Sequence, residues 1–354
     1  MARLGIQANN LANNSSMGVQ ENISLQSLNS FGIQVKARYY SLIQDIPTLY
    51  QLLRNQQLQS LPKLILGGGT NLLLTKDFEG WVIQIAITGL KKLDEDRDHV
   101  WLQVGAGFHW HALVVSCVQK GYAGIENLSL IPGTVGAAPI QNIGAYGVEF
   151  SEVFESLTAL EISTGILKTF SKKDCAFGYR NSIFKSVLQG QYIILQVVLC
   201  LKKQPRFRIE YGTIQETLAA MQVDQLSLQA ISNAIIQIRQ SKLPDTAKLG
   251  NAGSFFKNPI VDTCTLQKLQ STYPSIPYYS IQANQAKLSA AWLIEQAGWK
   301  GYRQGQVGVH PKQALVIINH GQATGQAIYQ LAKKIQQDIQ AQFSVTLEPE
   351  VNII

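Results

Sequence analysis

Apolar residues recur along the chain with two different periods, and the changes between these periods predict the secondary structure. Alternation at every second position indicates strands, whereas spacing at i, i+3, i+4 and i+7 indicates amphipathic helices. Thr324 is suited to cap the last predicted helix. The sequence predicts helices over 45–56, 110–117, 228–238, 288–297 and 327–335, and strands over 63–66, 100–104, 156–163, 192–201 and 314–319.

The segment from residue 124 to residue 147 follows neither period. It holds five glycines and two prolines among small residues, with almost no charge. Such a long segment without secondary structure of its own predicts a buried irregular loop and not an exposed linker.

The C-terminus shows alternation again. Apolar residues alternate from Val345 to Ile353, which places Glu348 and Glu350 together on the opposite face of a predicted strand. Pro349 makes this an edge strand, because proline has no N–H to donate to a neighbour.

Length and composition indicate a globular chain of several domains. The chain has 354 residues, of which 46% are apolar and 15% are charged. This length predicts two or three domains, and this apolar content excludes a disordered protein. Lys and Arg number 30 against 23 Asp and Glu, and the resulting charge of +7 suits an anionic partner.

Nothing in the sequence indicates export or membrane insertion. No apolar run reaches the roughly 20 residues that a membrane-spanning helix needs. Residues 1–20 are rich in Asn and Ser and lack the apolar core of a secretory signal, so we expect a disordered tail, with Met17 as an alternative start. The four cysteines are scattered without a C-x-x-C pair, which favours a reducing, cytoplasmic location without disulfides or zinc.

Two glycine-rich segments carry candidate chemistry. Residues 66–73 read Leu-Gly-Gly-Gly-Thr-Asn-Leu-Leu, where backbone N–H groups could bind a diphosphate, although a tight turn fits the same residues. Residues 131–147 would let a planar ligand lie against the main chain, with Gln141 and Asn142 bonding its polar edges; a buried structural turn is the alternative. Neither segment has a P-loop or dinucleotide fingerprint, which disfavours a Rossmann dehydrogenase.

Together these two segments resemble the FAD-binding domain of the vanillyl-alcohol-oxidase-like flavoproteins. Four further motifs make the chain, from about residue 30 to its end, similar to the UDP-N-acetylenolpyruvoylglucosamine reductase family. In chain order they are Phe-Gly-Tyr-Arg-Asn-Ser-Ile-Phe-Lys at 177–185, Lys-Leu-Pro-Asp at 242–245, Gly-Asn-Ala-Gly-Ser-Phe-Phe-Lys-Asn-Pro at 250–259 and Leu-Glu-Pro-Glu-Val at 347–351.

The resemblance implies an α+β fold. It implies an FAD-binding domain of the vanillyl-alcohol-oxidase-like type in two lobes over residues 30–204, and a smaller α+β substrate-binding domain over residues 205–343. Residues 1–29 are expected to form a disordered tail, and residues 344–354 a terminal strand that returns to the flavin site. The loop at Tyr211, followed by a helical insertion at 213–222, suggests the type I form of the family.

The activity that the resemblance implies is reduction of the enolpyruvyl group of UDP-N-acetylglucosamine enolpyruvate to UDP-N-acetylmuramate, for peptidoglycan. NADPH would reduce a non-covalently bound FAD and leave before the second substrate binds. These small molecules are the expected partners, and we expect no metal, nucleic acid or membrane.

Three residues match the family's catalytic positions: Arg180 would hold the substrate carboxylate, Ser254 would donate a proton, and Glu350 would assist. Glu348, two residues away on the same face, could raise the pKa of Glu350. Without the family motifs, Ser254 is a turn serine and both glutamates are edge-strand carboxylates that face solvent. The cofactor-binding positions are Gly67, Gly68, Gly69, Thr70, Asn71, Leu72, Pro132, Gly133, Thr134, Gly136, Ala137, Gln141, Asn142 and Gly144. The substrate-binding positions are Tyr179, Tyr211, Lys242, Asn258 and Gln313.

Other readings of the sequence stay open. His109 and His111 are too close in sequence to share a helix face, so we expect surface or packing roles, whereas His310 suits either a phosphate contact or a loop cap. An FAD-dependent sugar or alcohol oxidase of the same fold is the first rival function. A basic nucleic-acid-binding protein is the second, but the sequence shows no basic stripe with stacking aromatics.

Overall fold

The computed structural model describes residues 18–282 and 284–354. They fold into two compact units, each assembled from separate stretches of the chain. The first unit contains residues 18–23, 36–68 and 78–241, and the second contains residues 24–35, 69–77 and 242–354. Both units contain helices and strands, so the predicted α+β class is confirmed.

The first unit is built on two sheets. The strand Tyr192–Lys202 lies in the middle of the antiparallel sheet, as its apolar character predicts. Phe78–Ile85 pairs in parallel with both of its neighbours in the other sheet. The four-stranded sheet has the order Val19–Ser24, Lys36–Ile43, Phe78–Ile85 and Lys63–Leu66, and the five-stranded sheet has the order Leu167–Ser171, Phe154–Glu161, Tyr192–Lys202, His99–Gly105 and Leu90–Glu95.

The helices of the first unit begin where the sequence predicts. The helix Ile46–Leu53 follows Asp45, whose carboxylate accepts the N–H of Thr48 at 2.7 Å. The helix Trp110–Gln119 buries the apolar face predicted from its spacing. The remaining helices are Gln56–Gln59, Ile214–Ala220 and Leu228–Lys242, and the 3-10 helices are Glu126–Leu128, Val135–Ala137, Phe150–Glu152 and Ile183–Lys185.

The glycine-rich segment 124–147 is irregular, as predicted, but it is not uniformly buried. It consists of 3-10 turns followed by the strand Gly144–Ala145, which pairs with Val148–Glu149. Pro132 and Gly147 are exposed, whereas Gly133 and Gly136 are buried. One edge of the segment is therefore open to solvent and the other is packed against the unit.

The second unit contains a four-stranded and a three-stranded antiparallel sheet. The helix Gly325–Phe343 begins after Thr324, whose hydroxyl accepts the N–H of Ala327 as predicted. The other helices are Thr263–Thr272, Ala290–Gln296 and the 3-10 helix Gln26–Leu28. The sheet orders are Gly250–Asn251, Ile317–Asn319, Val307–Val309 and Arg303–Gln304, and then Ile260–Asp262, Gln285–Leu288 and Tyr278–Gln282.

The predicted disordered tail over residues 1–29 extends too far. Residues 1–17 lie outside the described part of the chain, but Val19–Ser24 is a strand and Gln26–Leu28 is a 3-10 helix. Val19 and Leu25 are 3% and 1% exposed, and burying each such side chain contributes roughly 1.5–3 kcal/mol. These apolar anchors explain why the segment folds.

The predicted domain boundary at residue 205 is also corrected. The helices Ile214–Ala220 and Leu228–Lys242 belong to the first unit, which extends to residue 241. Their apolar faces pack on each other and on Tyr146 and Phe207 of the same unit. The change in composition after Pro205 does not show which core a later helix joins.

The predicted terminal strand is shorter than its alternating pattern suggests. Only Asn352–Ile353 forms a strand, and it pairs in parallel with Leu72–Leu73 in the second unit. Pro349 instead makes an isolated bridge with Phe256. The last residues of the chain therefore lie beside the strand that follows the first glycine-rich segment.

Candidate active site

The two glycine-rich segments meet within the first unit. A Cβ atom placed on Gly67 would lie 2.5 Å from Oγ1 of Thr134, which is too close for any side chain. Gly68 is exposed beside it. The main chain of the first segment therefore packs directly against the Thr134 side chain of the second, and this contact brings together cofactor-binding positions that are far apart in sequence.

Backbone hydrogen bonds fix the second segment to residues 106–110. The N–H of Trp110 donates to the carbonyl of Gly133 at 3.0 Å, and the N–H of Gly136 donates to Ala106 at 2.8 Å. A Cβ on Gly136 would lie 2.6 Å from the Cβ of Ala106. Pro132 and Ala137 flank these contacts at more accessible positions. These contacts fix the backbone of the segment between residues 133 and 136.

Asn142 does not play the part predicted for its side chain. It is 1% exposed, its Nδ2 donates to Glu149 and to the carbonyl of Gly178, and its Oδ1 accepts the N–H of Ser151. Because the amide is engaged by protein groups at both ends, the predicted hydrogen bond to a ligand edge is corrected. Asn142 shapes the loop instead, with a φ of +47°, and the half-buried Gln141 is the more accessible amide.

Arg180 occupies the third position of a tight turn in the first unit. Gly178 and Asn181 exchange backbone hydrogen bonds of 3.0 and 3.2 Å, and Arg180 has a φ of +50°, a conformation that normally calls for glycine. Holding a large side chain there costs on the order of 1–3 kcal/mol, a kind of strain that clusters at functional sites.

The guanidinium of Arg180 is fixed from two sides. It donates through Nη2 to the carbonyl of Gly144, and its Cζ lies 5.3 Å from the centroid of the Tyr179 ring. The predicted residues Gly144, Tyr179 and Arg180 are thus in one cluster. A guanidinium held in this way can bind a carboxylate with little loss of side-chain freedom.

Tyr211 lies at the far end of the second glycine-rich segment. Its Cβ is 3.5 Å from the position that a Cβ on Gly147 would take, and its side chain is 36% exposed. Arg208, three residues earlier, donates to the carbonyl of Gly147 at 2.7 Å and pairs with Glu152 at 2.6 Å. These contacts anchor the loop that carries Tyr211.

In the second unit, the first glycine-rich segment continues against residues 24–35. Gly69 has a φ of +63°, and a Cβ there would lie 1.9 Å from the carbonyl oxygen of Leu28. The N–H of Ser30 donates to Gly69, and the carbonyl of Ser30 accepts from Asn251, both at 3.0 Å. Ser30 therefore joins the glycine-rich segment to the strand that leads to Ser254.

Ser254 and Glu350 lie on paired segments of the same unit. The N–H of Glu350 donates to the carbonyl of Phe255 at 2.8 Å, and the side chain of Asn71 donates to the carbonyl of Glu350 at 3.3 Å. Ser254 is half-buried, and within the described residues its hydroxyl has no hydrogen-bond partner. The structure thus brings together Asn71, Ser254 and Glu350, with Thr70 and the buried Leu72 beside Asn71.

Glu348 does not support Glu350 in the way that the sequence suggests. Its side chain is 71% exposed and pairs with Nζ of Lys257 at 3.2 Å. A carboxylate that is neutralised by a lysine and screened by water has little effect on a neighbouring carboxylate. The carboxylate of Glu348 therefore has Lys257 as its ion-pair partner.

The other predicted substrate-binding residues of the second unit each have their own surroundings. Oδ1 of Asn258 accepts the N–H of Ala290 at 3.0 Å, and Oε1 of Gln313 accepts the N–H of Leu315 at 3.3 Å. Lys242 is exposed at the end of its helix. The backbone N–H of His310 donates to the carbonyl of Val316 at 2.9 Å, whereas its Nδ1 atom is buried and has no hydrogen-bond partner among the described residues, so neither predicted role of the side chain is decided.

Several other reactive groups are excluded from chemistry. Burial raises the pKa of Cys117 and of Cys175 to about 12, so neither is a thiolate at neutral pH. Burial lowers the pKa of His111, whose Nδ1 accepts the N–H of Leu130 at 3.0 Å in a packing role. In the part of the chain that the structure describes, no three His, Cys, Asp or Glu residues cluster as a metal site.

Sequence reasoning missed the segment 24–35 altogether. Besides the contacts of Ser30, the carbonyl of Phe31 accepts from Nδ2 of Asn319 at 2.8 Å, and the Phe31 ring meets that of Phe255 edge-on. Alternating apolar residues could have indicated this segment, since Phe31, Ile33 and Val35 occupy every second position and are buried.

The fold and the two joined glycine-rich segments define an FAD-binding flavoprotein. Residues 42–171 match the family described as FAD binding domain, and residues 244–354 match the UDP-N-acetylenolpyruvoylglucosamine reductase C-terminal domain. The chain belongs to the UDP-N-acetylenolpyruvoylglucosamine reductase family, as its similarity to curated relatives shows along its whole length.

Two of these relatives illustrate the match. The reductase of Amoebophilus asiaticus is 64% identical over 96% of this chain and 100% of the relative. That of Pseudomonas putida is 49% identical over 94% of this chain and 98% of the relative. Both bear the name UDP-N-acetylenolpyruvoylglucosamine reductase, so the predicted resemblance is confirmed.

A solved structure confirms the fold. The crystal structure of the reductase from Thermus caldophilus superimposes with a TM-score of 0.65, at 22% identity, and covers 94% of this chain and 97% of that one. The predicted combination of an FAD-binding region with a C-terminal domain is therefore confirmed.

Proposed function

We propose that this chain reduces the enolpyruvyl double bond of UDP-N-acetylglucosamine enolpyruvate with electrons from NADPH, and so forms UDP-N-acetylmuramate for peptidoglycan. The observation that carries the proposal is the pairing of the Ser254 segment with the Glu350 segment, in a chain that aligns over 96% of its length with a reductase of that name. This pairing supports roles for a hydroxyl proton donor and a carboxylate that are carried by neighbouring segments.

The two glycine-rich segments fit an FAD cofactor. Gly67 packs against the side chain of Thr134, and Gly136 packs against Ala106, so neither position has room for a Cβ and both leave their main chain bare. In the proposal Gly67–Gly69, Thr70 and Asn71 hold the diphosphate, and the segment 131–147 supports the ring. FAD, when bound, supplies the hydride transfer from NADPH to the alkene.

Arg180 has the properties that a carboxylate clamp needs. The hydride adds to the terminal carbon of the alkene, so negative charge develops on the neighbouring carbon and its carboxylate. A guanidinium stays charged throughout and is oriented in advance by Gly144 and Tyr179. We assign Arg180 to hold the carboxylate and to stabilise this charge.

Ser254 completes the addition by giving its proton to that neighbouring carbon. Its hydroxyl has no competing partner among the described residues, so it can be oriented by the bound substrate. Glu350, held next to it by the bond to Phe255, assists at the carboxylate. Together the hydride and the proton saturate the double bond.

Four further residues are proposed to bind the nucleotide part of the substrate, and a fifth supports Arg180. Tyr211 and Lys242 supply exposed donors for phosphate oxygens. The side-chain oxygens of Asn258 and Gln313 accept hydrogen bonds from backbone N–H groups. In the proposal, their NH2 groups donate hydrogen bonds to the substrate. Tyr179 supports the site through its contact with Arg180.

We also propose a cytoplasmic location, with small-molecule substrates and no nucleic-acid or membrane partner. None of the four cysteines is in a disulfide. Within residues 18–282 and 284–354, no helix combines the length and apolarity that crossing a membrane requires. The charge of +7 suits two anionic substrates that bind in turn.

The test is to incubate the purified protein with FAD, NADPH and the enolpyruvyl nucleotide under argon. We expect NADPH oxidation to match the formation of a saturated product with two additional hydrogens, detected by mass spectrometry, and to stop when the nucleotide is omitted. NADPH oxidation that requires oxygen, with no saturated product, would instead support the oxidase.

A further inference from the structure

Arg239 is a positive charge without a partner in the interior of the first unit. It lies on the helix Leu228–Lys242 and is half-buried, so that part of the side chain keeps accessible surface. Its Nε atom is buried, and among residues 18–282 and 284–354 it has no hydrogen-bond acceptor and no carboxylate partner.

The groups around Arg239 do not neutralise it. The titratable neighbour that favours its charge is Tyr146, and burial raises the pKa of this phenol, so it is uncharged at neutral pH. Burial, together with the charges of His109 and Arg239, lowers the pKa of His111, so this imidazole carries no charge at neutral pH either. An arginine does not escape by losing its proton in the way that a lysine does.

A buried charge without compensation is strongly destabilising, so its retention indicates an anion that the protein itself does not supply. An isolated guanidinium with part of its surface accessible is the arrangement expected where a bound ligand brings that anion.

The position of Arg239 associates this anion with the second glycine-rich segment. His111 bonds the N–H of Leu130 at 3.0 Å, just before the segment begins, and Asn127 bonds the carbonyl of Tyr146 at 2.9 Å, near its end. On the helix of Arg239, Ser232 bonds the hydroxyl of Ser129 at 2.8 Å. The helix that carries Arg239 thus packs against Ser129, just before the segment 131–147 that is proposed to support the flavin ring.

We propose that Arg239 places its positive charge beside the isoalloxazine ring and favours the reduced cofactor, in which the ring is more negative than in oxidised FAD. This inference rests on the proposed binding of FAD. The permanently charged diphosphate is assigned to Gly67–Asn71, where backbone N–H groups are available. Arg239 is therefore a positioning and tuning residue for the cofactor.

The test compares Arg239→Met, which removes the charge at similar length, with Arg239→Lys and with Arg97→Met, a change at an exposed arginine. Two quantities are measured: the midpoint potential of bound FAD against a reference dye, and the dissociation constant of oxidised FAD. Circular dichroism establishes whether each variant is folded, and Arg239→Gln replaces the methionine variant if that one does not fold.

In Arg239→Met we expect the preference of the protein for reduced over oxidised FAD to fall at least about tenfold. For a two-electron couple, a tenfold loss lowers the midpoint potential of bound FAD by about 30 mV. Arg239→Lys should recover part of this shift, and Arg97→Met should show none. An unchanged potential with weaker binding of oxidised FAD would move Arg239 to the diphosphate and overturn the proposal. An unchanged potential with unchanged binding would overturn it as well.

The wild-type protein separates this inference from the proposed function. Failure of the wild-type protein to bind FAD would remove the proposed function itself. Tight FAD binding with a potential that does not depend on Arg239 would remove the inference and leave the reductase in place.

Discussion

Glu350 donates its backbone N–H to the carbonyl oxygen of Phe255 at 2.8 Å. Because Phe255 directly follows Ser254 in the chain, this bond holds Glu350 beside the segment that carries Ser254. Because this bond is made by the main chain, it persists when either side chain is changed. The contributions of the two side chains can therefore be measured separately, without displacing the segments that carry them.

Replacing Ser254 with alanine should separate the two halves of the reaction. Reduction of FAD by NADPH should keep nearly its normal rate, whereas oxidation by the enolpyruvyl nucleotide should slow by about 10² to 10⁴, the usual contribution of a positioned acid. Stopped-flow absorbance measures both rates. Ser271→Ala, at an exposed serine of the same unit, is the control; equal slowing of both halves would contradict the assignment of Ser254.

Replacing Glu350 with glutamine should slow the nucleotide half-reaction by roughly a hundredfold, because the carboxylate is lost while the backbone bond to Phe255 remains. Glu348→Gln is a matched control two residues away. It removes only an exposed pair with Lys257, so we expect unchanged kinetics and a stability change of at most about 1 kcal/mol. Similar kinetic losses in both variants would argue against a specific role for Glu350.

Replacing Gly67 with alanine should weaken FAD binding. The new Cβ would lie 2.5 Å from Oγ1 of Thr134 and force the two glycine-rich segments apart. Overpacking of this kind costs about 1–3 kcal/mol, or roughly a tenfold to hundredfold loss of affinity, measured by fluorescence titration with FAD. Combining it with Thr134→Ala removes the clashing oxygen and should recover affinity relative to Gly67→Ala; no recovery would show that this contact is not the cause.

Replacing Thr324 with alanine should lower the free energy of unfolding by about 1 kcal/mol. The change removes the hydroxyl that caps the helix Gly325–Phe343, whereas Thr324→Ser keeps a hydroxyl and should lose much less. Urea denaturation followed by circular dichroism provides both values. Equal losses in the two variants would show that the hydroxyl bond is not what Thr324 contributes.

Glu95 should make the stability of the protein sensitive to acid. Hydrogen bonds and charge pairing with Lys203, and then with Lys92, lower the pKa of Glu95 to about 2. A carboxylate whose pKa is lower in the folded state contributes stability above its unfolded pKa, and this contribution is lost as the pH falls towards 2.

Glu95→Gln should therefore reduce the dependence of stability on pH between about 4.5 and 2. In 1 M salt, which screens exposed charges, the substitution should change this dependence very little. Urea midpoints over this pH range measure the difference. A variant with the same pH profile as the wild-type protein would contradict the shifted pKa.

The sequence predicted well those features that depend on nearby residues. The helix Trp110–Gln119 and the strand Tyr192–Lys202 follow directly from apolar spacing, and Thr324 was identified as a cap because its partner lies three residues away. Family motifs supplied the site residues Arg180, Ser254 and Glu350, whose chemistry alone would not have distinguished them from ordinary turn and strand residues.

The features that sequence missed depend on contacts between distant residues. The assignment of helix Leu228–Lys242 to the first unit depends on the core against which it packs. The pairing of Glu348 with Lys257 spans 91 residues. Likewise, nothing in the spacing of apolar residues shows that Arg239 lacks a partner, because this depends on every group that folds around it.

The central claim is that the chain carries electrons from NADPH through FAD to the enolpyruvyl nucleotide. The most direct measurement is the visible spectrum of the purified protein with FAD under anaerobic conditions, first with NADPH and then with UDP-N-acetylglucosamine enolpyruvate. We expect the flavin band to bleach with NADPH and to return when the nucleotide is added. A protein that takes up no FAD, or a bleached band restored by air but not by the nucleotide, would contradict the claim.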